Sequence, residues 1–102
     1  MEQREIGHSG LKVSVIGLGC NNFGLLIDEG ESRPVISRSL DAGINFFDTA
    51  DIYGESEVVL GNALGAHRKQ IVIATKFGHS ASGKDAHKWA PKLREFLGRI
   101  RI

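Results

Sequence analysis

Three short apolar runs follow one another at nearly regular intervals along the chain. They are rich in Val, Ile and Phe and do not alternate with polar residues, which is typical of parallel strands buried on both faces. The runs are Val13 to Leu18, Ile44 to Phe47 and Ile71 to Thr75. Ahead of the first, Arg4 to Ile6 and Leu11 to Val13 flank a turn that contains glycine, and they predict a small β-hairpin.

Two amphipathic segments between these runs predict helices. The first, Asp28 to Ala42, has an acidic start and ends before Gly43, which suits a left-handed helix stop. The second, Ser56 to Leu64, has Ser56 as its N-cap and ends at Gly65. The apolar residues expected on their buried faces are Val35, Ile36 and Leu40 in the first helix, and Val59, Leu60, Ala63 and Leu64 in the second.

Strands and helices therefore alternate about every 30 residues, which predicts parallel βαβ units. This α/β order fits either an open doubly wound sheet or a (β/α)8 barrel. Residues 79–102 break the order, because they begin as a loop, show no fourth strand and contain only a short predicted helix from Pro91 to Gly98. We therefore divide the chain into an α/β part, residues 1–78, and a divergent tail, residues 79–102.

Composition limits the classes of function without choosing one. The chain has 102 residues, 41% hydrophobic and 25% charged, which suits one soluble domain. A net charge of +1 gives no case for a nucleic-acid partner, and no apolar run approaches the roughly 20 residues of a membrane helix. Cys20 is the only cysteine, so no internal disulfide is possible, which favours a reducing, cytoplasmic location. The sequence predicts no metal site.

A glycine-rich stretch after the first predicted strand resembles a dinucleotide-binding fingerprint at first sight. Gly17 and Gly19 fit that pattern, but Asn22 stands where the third glycine belongs. The next helix also starts only near Asp28, too late to place its N-terminus against a pyrophosphate. We reject the Rossmann interpretation and expect a loop that lets a ligand approach the backbone above a strand end.

Three chemically active side chains follow the predicted strands. Asp48 ends the second run, Tyr53 lies five residues later, and Lys76 follows the third run. Carboxyl ends of parallel strands share one edge, where barrel enzymes keep their active sites. Reduction of a carbonyl by hydride needs a proton donor, and a nearby ammonium strengthens a phenol as an acid. Tyr53 would then be the donor, Lys76 its tuner and Asp48 the partner of the lysine.

Each of these residues also has a purely structural interpretation. Asp48 would cap a turn, Tyr53 would pack in the interior, and Lys76 would be an ordinary surface lysine. A lysine directly after the apolar run Ile71 to Thr75 is unusual, however. The joint placement of all three at strand ends favours the chemical interpretation.

The stretch from Gly43 to Gly61, with Asp48-Thr49-Ala50-Asp51-Ile52-Tyr53-Gly54 at its centre, closely resembles the first signature of the aldo-keto reductase family. Ile16 to Gly24 resembles that family's first strand and loop, and Ile71 to Gly78 resembles its third strand with the active-site lysine. The likeness covers roughly residues 4–78. It implies part of a (β/α)8 TIM barrel, with an N-terminal β-hairpin and about three βα units.

The resemblance also implies a function. Members of the family are oxidoreductases that use NADPH to reduce a small-molecule aldehyde or ketone to an alcohol. Asp48, Tyr53 and Lys76 match three members of the family's catalytic tetrad. Gly19, Cys20 and Asn21, together with Asp48, fall where family members line the nicotinamide end of the cofactor.

The departures from the family pattern carry expectations of their own. The fourth tetrad member is a histidine at the end of the fourth strand, and His79 and His87 lie in the wrong segment to replace it. The cofactor's phosphate site belongs to later strands. We therefore expect a truncated chain that is inactive by itself and self-associates through open sheet edges.

Two other functions remain open. One is a non-catalytic fragment or binding protein that keeps part of the reductase barrel; the family includes potassium-channel β subunits, in which the barrel serves a partner as well as chemistry. The other is an open α/β sheet of unrelated function.

Overall fold

The structure, a computed structural model, describes residues 1–78 and contains a hairpin, a parallel sheet and two helices. Its elements are β1 (Gln3–Glu5), β2 (Lys12–Ser14), β3 (Leu18–Gly19), α1 (Glu29–Asp41), β4 (Phe46–Asp48), α2 (Ser56–Leu64) and β5 (Val72–Ala74). A 3₁₀ helix, Gly65–Gln70, connects α2 to β5. The helix predicted from Pro91 to Gly98 and the rest of the predicted tail lie outside the described residues.

The sheet aligns three strand ends at one edge. Its order is β3-β4-β5 and all three strands are parallel, as the sequence predicts. Gly19 pairs with Asp48, and Asp48 pairs with Ala74, so these three residues lie level across the sheet. Helices α1 and α2 contact each other and therefore cover the same face. The loops that leave the strands thus begin side by side at the carboxyl edge.

The core lies between this sheet and the two helices. Phe47, on the central strand, is fully buried and belongs to one cluster with Ile36 of α1 and with Leu60 and Leu64 of α2. Burial of an apolar side chain of this size contributes about 1.5–3 kcal/mol. The cluster also contains Cys20, so the loop after β3 is fixed to the core.

The first predicted strand, residues 13–18, is divided in the structure, so the prediction of one continuous strand is wrong. Val13 and Ser14 belong to β2 and pair with β1, which confirms the hairpin, whereas only Leu18 and Gly19 join the parallel sheet. The backbone N–H of Ser14 donates to Oδ1 of Asn45 at 2.6 Å, and the N–H of Asn45 donates to Oγ of Ser14 at 3.1 Å. These bonds hold Ser14 next to Asn45, the residue before β4, so Ser14 does not pair with β4 as a strand residue.

Helix α1 occupies nearly the predicted residues, but its buried face differs. Asp28 is its N-cap and forms a capping box with Glu31, and Gly43 has a positive φ of 86°, as expected of a helix stop. Ile36 is buried, whereas Val35 is 41% exposed, so the prediction for Val35 is wrong. The other buried residues of this helix are two serines, Ser32 and Ser39, which hydropathy alone does not select.

Helix α2 has the predicted bounds and the predicted core residues. Val59, Leu60 and Leu64 are buried, and Ala63 is partly buried. The predicted N-cap is wrong, because Glu55 occupies the N-cap position without a side-chain bond to the helix and Ser56 is the first helical residue. The hydroxyl of Ser56 is engaged elsewhere. None of the helices in residues 1–78 is both long enough and apolar enough to cross a membrane.

Candidate active site

Asp48 and Lys76 form an ion pair at the carboxyl edge of the sheet. Asp48 is the last residue of β4, and Lys76 follows the end of the neighbouring strand β5. The ammonium Nζ of Lys76 donates to both carboxylate oxygens of Asp48, each at 2.9 Å, and to the carbonyl oxygen of Thr49 at 3.0 Å. The parallel register of β4 and β5 therefore brings together the two charged residues that the sequence placed at strand ends.

Tyr53 lies against the same lysine. The Nζ atom of Lys76 is 5.2 Å from the centre of the Tyr53 ring, within the range of a cation–π contact. The loop that carries the tyrosine folds back on itself, since the N–H of Tyr53 donates to the carbonyl of Ala50 at 3.2 Å. The N–H of Asp51 donates to the carbonyl of Lys76 at 3.1 Å, which joins this loop to the end of β5.

The surroundings of Lys76 favour its charged form. The pKa of the ammonium is raised above its ordinary value, mainly by the hydrogen bond to Asp48, with smaller contributions from the charge of Asp48 and from Tyr53. Partial desolvation opposes these effects. The side chains of Lys76 and Asp48 remain 54% and 46% exposed, so water screens the pair and its contribution to stability is about 0–1 kcal/mol. The pair therefore matters for position and charge more than for folding.

A cleft of about 330 Å³ opens beside these side chains. Tyr53 and Lys76 line it, together with Ala50, Asp51, Ile52 and Phe77. Small-molecule sites usually occupy about 300–1,000 Å³, so this cleft is at the lower limit of that range. It has room for a small carbonyl compound or one ring of a cofactor, but not for a whole dinucleotide.

The residues assigned to the nicotinamide end differ in their placement. Gly19 and Asn21 are exposed at the carboxyl edge, and a Cβ atom built on Gly19 would meet no atom within 4 Å. The backbone of Gly19, paired with Asp48, is therefore open to a flat ring. Cys20 is fully buried in the core instead. Its assignment to the cofactor stays a prediction, as do those of Gly19, Asn21 and Asp48.

Cys20 has all of its polar groups engaged within the protein. Its N–H donates to the carbonyl of Asp48 at 2.8 Å, and its carbonyl accepts a bond of 2.6 Å from the hydroxyl of Ser56. Burial of the thiol, and secondarily the charge of Asp48, raise the pKa of Cys20 to about 12. In this structure Cys20 holds the loop that follows β3 against the backbone of Asp48.

Sequence reasoning missed two buried residues that support the site. Thr49 and Ser56 are 1% and 0% exposed, and their hydroxyl oxygens lie 2.8 Å apart. The sequence gives one weak indication that Thr49 belongs to the site, because Thr49 is a polar residue directly after the end of β4. Ser56 has none beyond its resemblance to a helix cap, because its partner Cys20 lies 36 positions away.

A nicotinamide cofactor fits this edge only in part. The open backbone of Gly19 beside Asp48 suits the flat nicotinamide ring. The loops after the three strands, residues 20–28, 49–55 and 75–78, contain a single Lys or Arg, namely Lys76, which is already paired with Asp48. Cations for the phosphates would therefore come from outside these loops. Among residues 1–78, no three His, Cys, Asp or Glu side chains converge as metal ligands would.

Comparison with known proteins places this arrangement in a family. The sequence profile of the Aldo/keto reductase family matches residues 15–101. The chain is 34% identical over 94 residues to an uncharacterised oxidoreductase of Bacillus subtilis, covering 89% of this chain and 30% of the relative. It is 41% identical over 87 residues to the versiconal hemiacetal acetate reductase of Aspergillus parasiticus, covering 74% of this chain and 25% of the relative.

A solved structure agrees with these sequence matches. The holo form of an aldo-keto reductase from Bacillus halodurans superposes with a TM-score of 0.71 at 40% identity, over 83% of this chain and 29% of that chain. The described elements correspond to part of its TIM barrel and do not close into a barrel, which confirms the predicted fold class. The chain spans about 30% or less of the length of these relatives. It belongs to the aldo-keto reductase family of oxidoreductases.

Proposed function

We propose that this chain supplies Asp48, Tyr53 and Lys76 to an NADPH-dependent site that reduces aldehydes or ketones to alcohols. One observation carries the proposal. The Lys76 ammonium is held between the Asp48 carboxylate, at 2.9 Å, and the Tyr53 ring, at 5.2 Å, beside an open cleft. The preference for NADPH over NADH rests on the resemblance to the family.

The three side chains have distinct roles in this reaction. A nicotinamide cofactor, when bound, would supply hydride for the carbonyl carbon. The Tyr53 hydroxyl gives its proton to the carbonyl oxygen as the alcohol forms, and the Lys76 ammonium lies beside the same ring, 5.2 Å from its centre. Asp48 holds Lys76 in place and keeps it protonated, in line with the raised pKa of the lysine.

The nicotinamide end of the cofactor would lie against the open edge near Gly19 and Asn21, with Asp48 beside it. Cys20 would act from the core through its backbone bond to Asp48. A cytoplasmic location is part of the proposal, and a single, buried, free thiol supports it.

The 102-residue chain alone is expected to turn over little or no substrate. Its cleft of about 330 Å³ shelters a small ligand poorly, and the loops at this edge offer one cation, already paired, for a cofactor with several phosphate charges. The alternative, a binding protein without catalysis, is not favoured, because binding alone does not require a lysine clamped between a carboxylate and a phenol.

The first test is titration of the purified chain with NADPH, followed by nucleotide fluorescence. Saturable binding that weakens in Asp48→Asn would support a cofactor contact at this edge. Asp41→Asn is the matched control, because it removes the same charge at an exposed position at the end of α1, away from the cleft. Absence of binding would assign the cofactor site to other parts of the family barrel.

A chimera tests the chemistry itself. Residues 15–78 of this chain would replace the matching segment of the full-length Bacillus halodurans relative, and aldehyde-dependent oxidation of NADPH would be measured. Tyr53→Phe in the chimera should lower the rate by about 100-fold or more, the usual contribution of a general acid. A folded chimera that keeps its rate after Tyr53→Phe would refute the proposed role of the tyrosine.

A further inference from the structure

We propose that Ser56 and Thr49 form a buried hydroxyl pair that sets the spacing between Tyr53 and Lys76. The inference rests on the proposed function, because it assigns positioning residues to the same site. Neither hydroxyl touches the cleft. Both residues act through the backbone of the loops that carry the catalytic side chains.

Ser56 joins two loops from the first turn of α2. Its hydroxyl donates to the carbonyl of Cys20 at 2.6 Å, in the loop after β3. Its backbone N–H donates to the carbonyl of Tyr53 at 2.9 Å. Ser56, which is fully buried, therefore links the backbone carbonyl of Tyr53 to the loop after β3. That loop is held in the core by Cys20.

Thr49 carries the connection to the lysine. A serine hydroxyl has one proton, and that of Ser56 is committed to Cys20, so Thr49 is the donor across the 2.8 Å contact between the two hydroxyls. The carbonyl of Thr49 accepts a bond of 3.0 Å from Nζ of Lys76. Its N–H donates to the carbonyl of Ala74 at 2.8 Å. The hydroxyl pair thus lies between the backbone that holds Tyr53 and the oxygen that holds Lys76.

The use of the Ser56 hydroxyl differs from that of the other buried serines on helices. Ser39 donates to the carbonyl of Val35 at 2.8 Å, and Ser32 donates to the carbonyl of Asp28 at 2.7 Å, four residues back in each case. Such bonds stay within one helix. The Ser56 hydroxyl caps nothing in α2 and reaches a residue 36 positions away.

The test is a proton NMR measurement on the 102-residue protein without cofactor. Tyr53 is the only tyrosine, so its ring signals are assigned without ambiguity, and its cross-relaxation peaks to the Lys76 side chain report their spacing. Ser56→Ala should abolish these peaks while the circular dichroism spectrum keeps its folded shape. Ser56→Thr, which retains the hydroxyl, should restore them. Ser39→Ala, which also removes a buried serine hydroxyl, should leave them unchanged.

A second variant covers the case in which Ser56→Ala does not fold. Thr49→Val replaces the hydroxyl with a methyl group of similar size, and it should abolish the same peaks. Peaks that persist in either folded variant would overturn the proposal. Unfolding of both variants would also overturn it, because the hydroxyls would then serve the fold rather than the spacing. Since no nucleotide or turnover is involved, this result is independent of whether the chain binds NADPH.

Discussion

At the scale of single residues, the chemistry of Cys20 differs from that of an exposed cysteine. Burial raises its pKa from an ordinary value of 9.0 to about 12, so the native protein holds much less reactive thiolate near neutral pH than an exposed cysteine would. We expect the thiol to resist iodoacetamide or an aromatic disulfide reagent at pH 8. In guanidinium chloride one thiol per chain should react rapidly.

The measurement is the rate of thiol release or alkylation in native and denatured protein. A mixture of free glutathione and native protein serves as the control, since the glutathione should react at its normal rate. Rapid reaction of the native chain would show that the loop after β3 opens readily and that Cys20 is not fixed in the core.

The Asp48–Lys76 pair gives a prediction with a definite sign. The folded-state pKa of Lys76 lies above its ordinary value of 10.5, so the pair contributes fully from neutral pH up to about pH 10.5, and this contribution is lost as the pH rises through the raised value. Asp48→Asn should lower the pKa of Lys76, measured from the NMR shifts of its ε-methylene. Asp51→Asn should lower it much less, and equal effects of the two variants would contradict the direct bond.

The sequence predicted that Asp48, Tyr53 and Lys76 lie close together, because Asp48 and Lys76 follow the ends of apolar runs and Tyr53 lies in the loop after one of them. Strand ends meet at one edge in any parallel sheet, and the direct pairing of β4 with β5 makes Asp48 and Lys76 neighbours at that edge. Thr49 and Ser56 could not be found in the same way. Their role depends on a contact with Cys20 that exists only after the loops have folded together.

At the scale of elements, Asn45 fastens the hairpin to the sheet. Its side chain accepts from the N–H of Ser14 at 2.6 Å and donates to the carbonyl of Lys12 at 3.2 Å. Asn45→Ala leaves the partly buried N–H of Ser14 without its partner, which costs about 1–3 kcal/mol of unfolding free energy. Urea unfolding measures this loss. Asn21→Ala, at an exposed position, should change stability by about 0.5 kcal/mol or less.

Two glycines should respond to alanine in opposite directions. Gly24 has a φ of 71°, and an added Cβ would lie 2.8 Å from Cβ of Glu55 and 2.9 Å from its backbone carbon, so Gly24→Ala should destabilise the protein by about 1–3 kcal/mol. Gly61 lies within α2, where an added Cβ meets nothing within 4 Å. Gly61→Ala should therefore stabilise it by about 0.5–1 kcal/mol.

Thermal unfolding of the two variants, followed by circular dichroism, decides this prediction. A loss of stability in Gly61→Ala would mean that helical propensity does not control this position. Tolerance of alanine at residue 24 would mean that the loops after β3 and β4 separate more easily than their contact implies.

The helices could be predicted more closely than the strands because their signals are local. Asp28, Gly43 and Gly65 mark helix ends within a few residues of sequence. The division of residues 13–18 depends instead on Asn45, 31 positions after Ser14, so hydropathy predicted one strand where the structure has two. Val35 was misassigned for a related reason, since the buried face of α1 uses Ser32 and Ser39.

At the scale of the whole molecule, the sheet of residues 1–78 has two strands, β3 and β5, that pair on one side only. Large apolar side chains are also exposed, among them Ile16 at 55% and Leu26 at 75%. Both features favour pairing with another chain. We expect the 102-residue protein to self-associate as its concentration rises.

Sedimentation velocity over a concentration series measures this association. Ile16→Lys places a charge just ahead of the edge strand β3 and should shift the distribution toward monomer. Val58→Lys is the matched control, because Val58 is equally exposed, at 55%, but lies on α2. A protein that stays monomeric throughout the series would contradict the expected association.

The sequence pattern alone allowed two parallel architectures, an open doubly wound sheet and a barrel. The geometry of residues 1–78 does not distinguish the open sheet from the barrel. Both architectures contain three consecutive parallel strands with two helices on one face. The likeness of the stretch around Asp48 and Tyr53 selected the barrel, and the matches to aldo-keto reductases confirm that choice. The boundary between residues 1–78 and 79–102 stays a prediction, and the family profile extends across it.

The level alignment of Gly19, Asp48 and Ala74 has a consequence for synthesis. The residues that meet at the carboxyl edge, from Gly19 to Lys76, are separated by fewer than 60 positions, in strands that are consecutive both along the chain and across the sheet. At about 5–20 residues per second a ribosome makes such a stretch in roughly 3–12 s. The contacts of Lys76 with Asp48 and with the Tyr53 ring can therefore form on the nascent polypeptide as soon as β5 and Lys76 have left the exit tunnel.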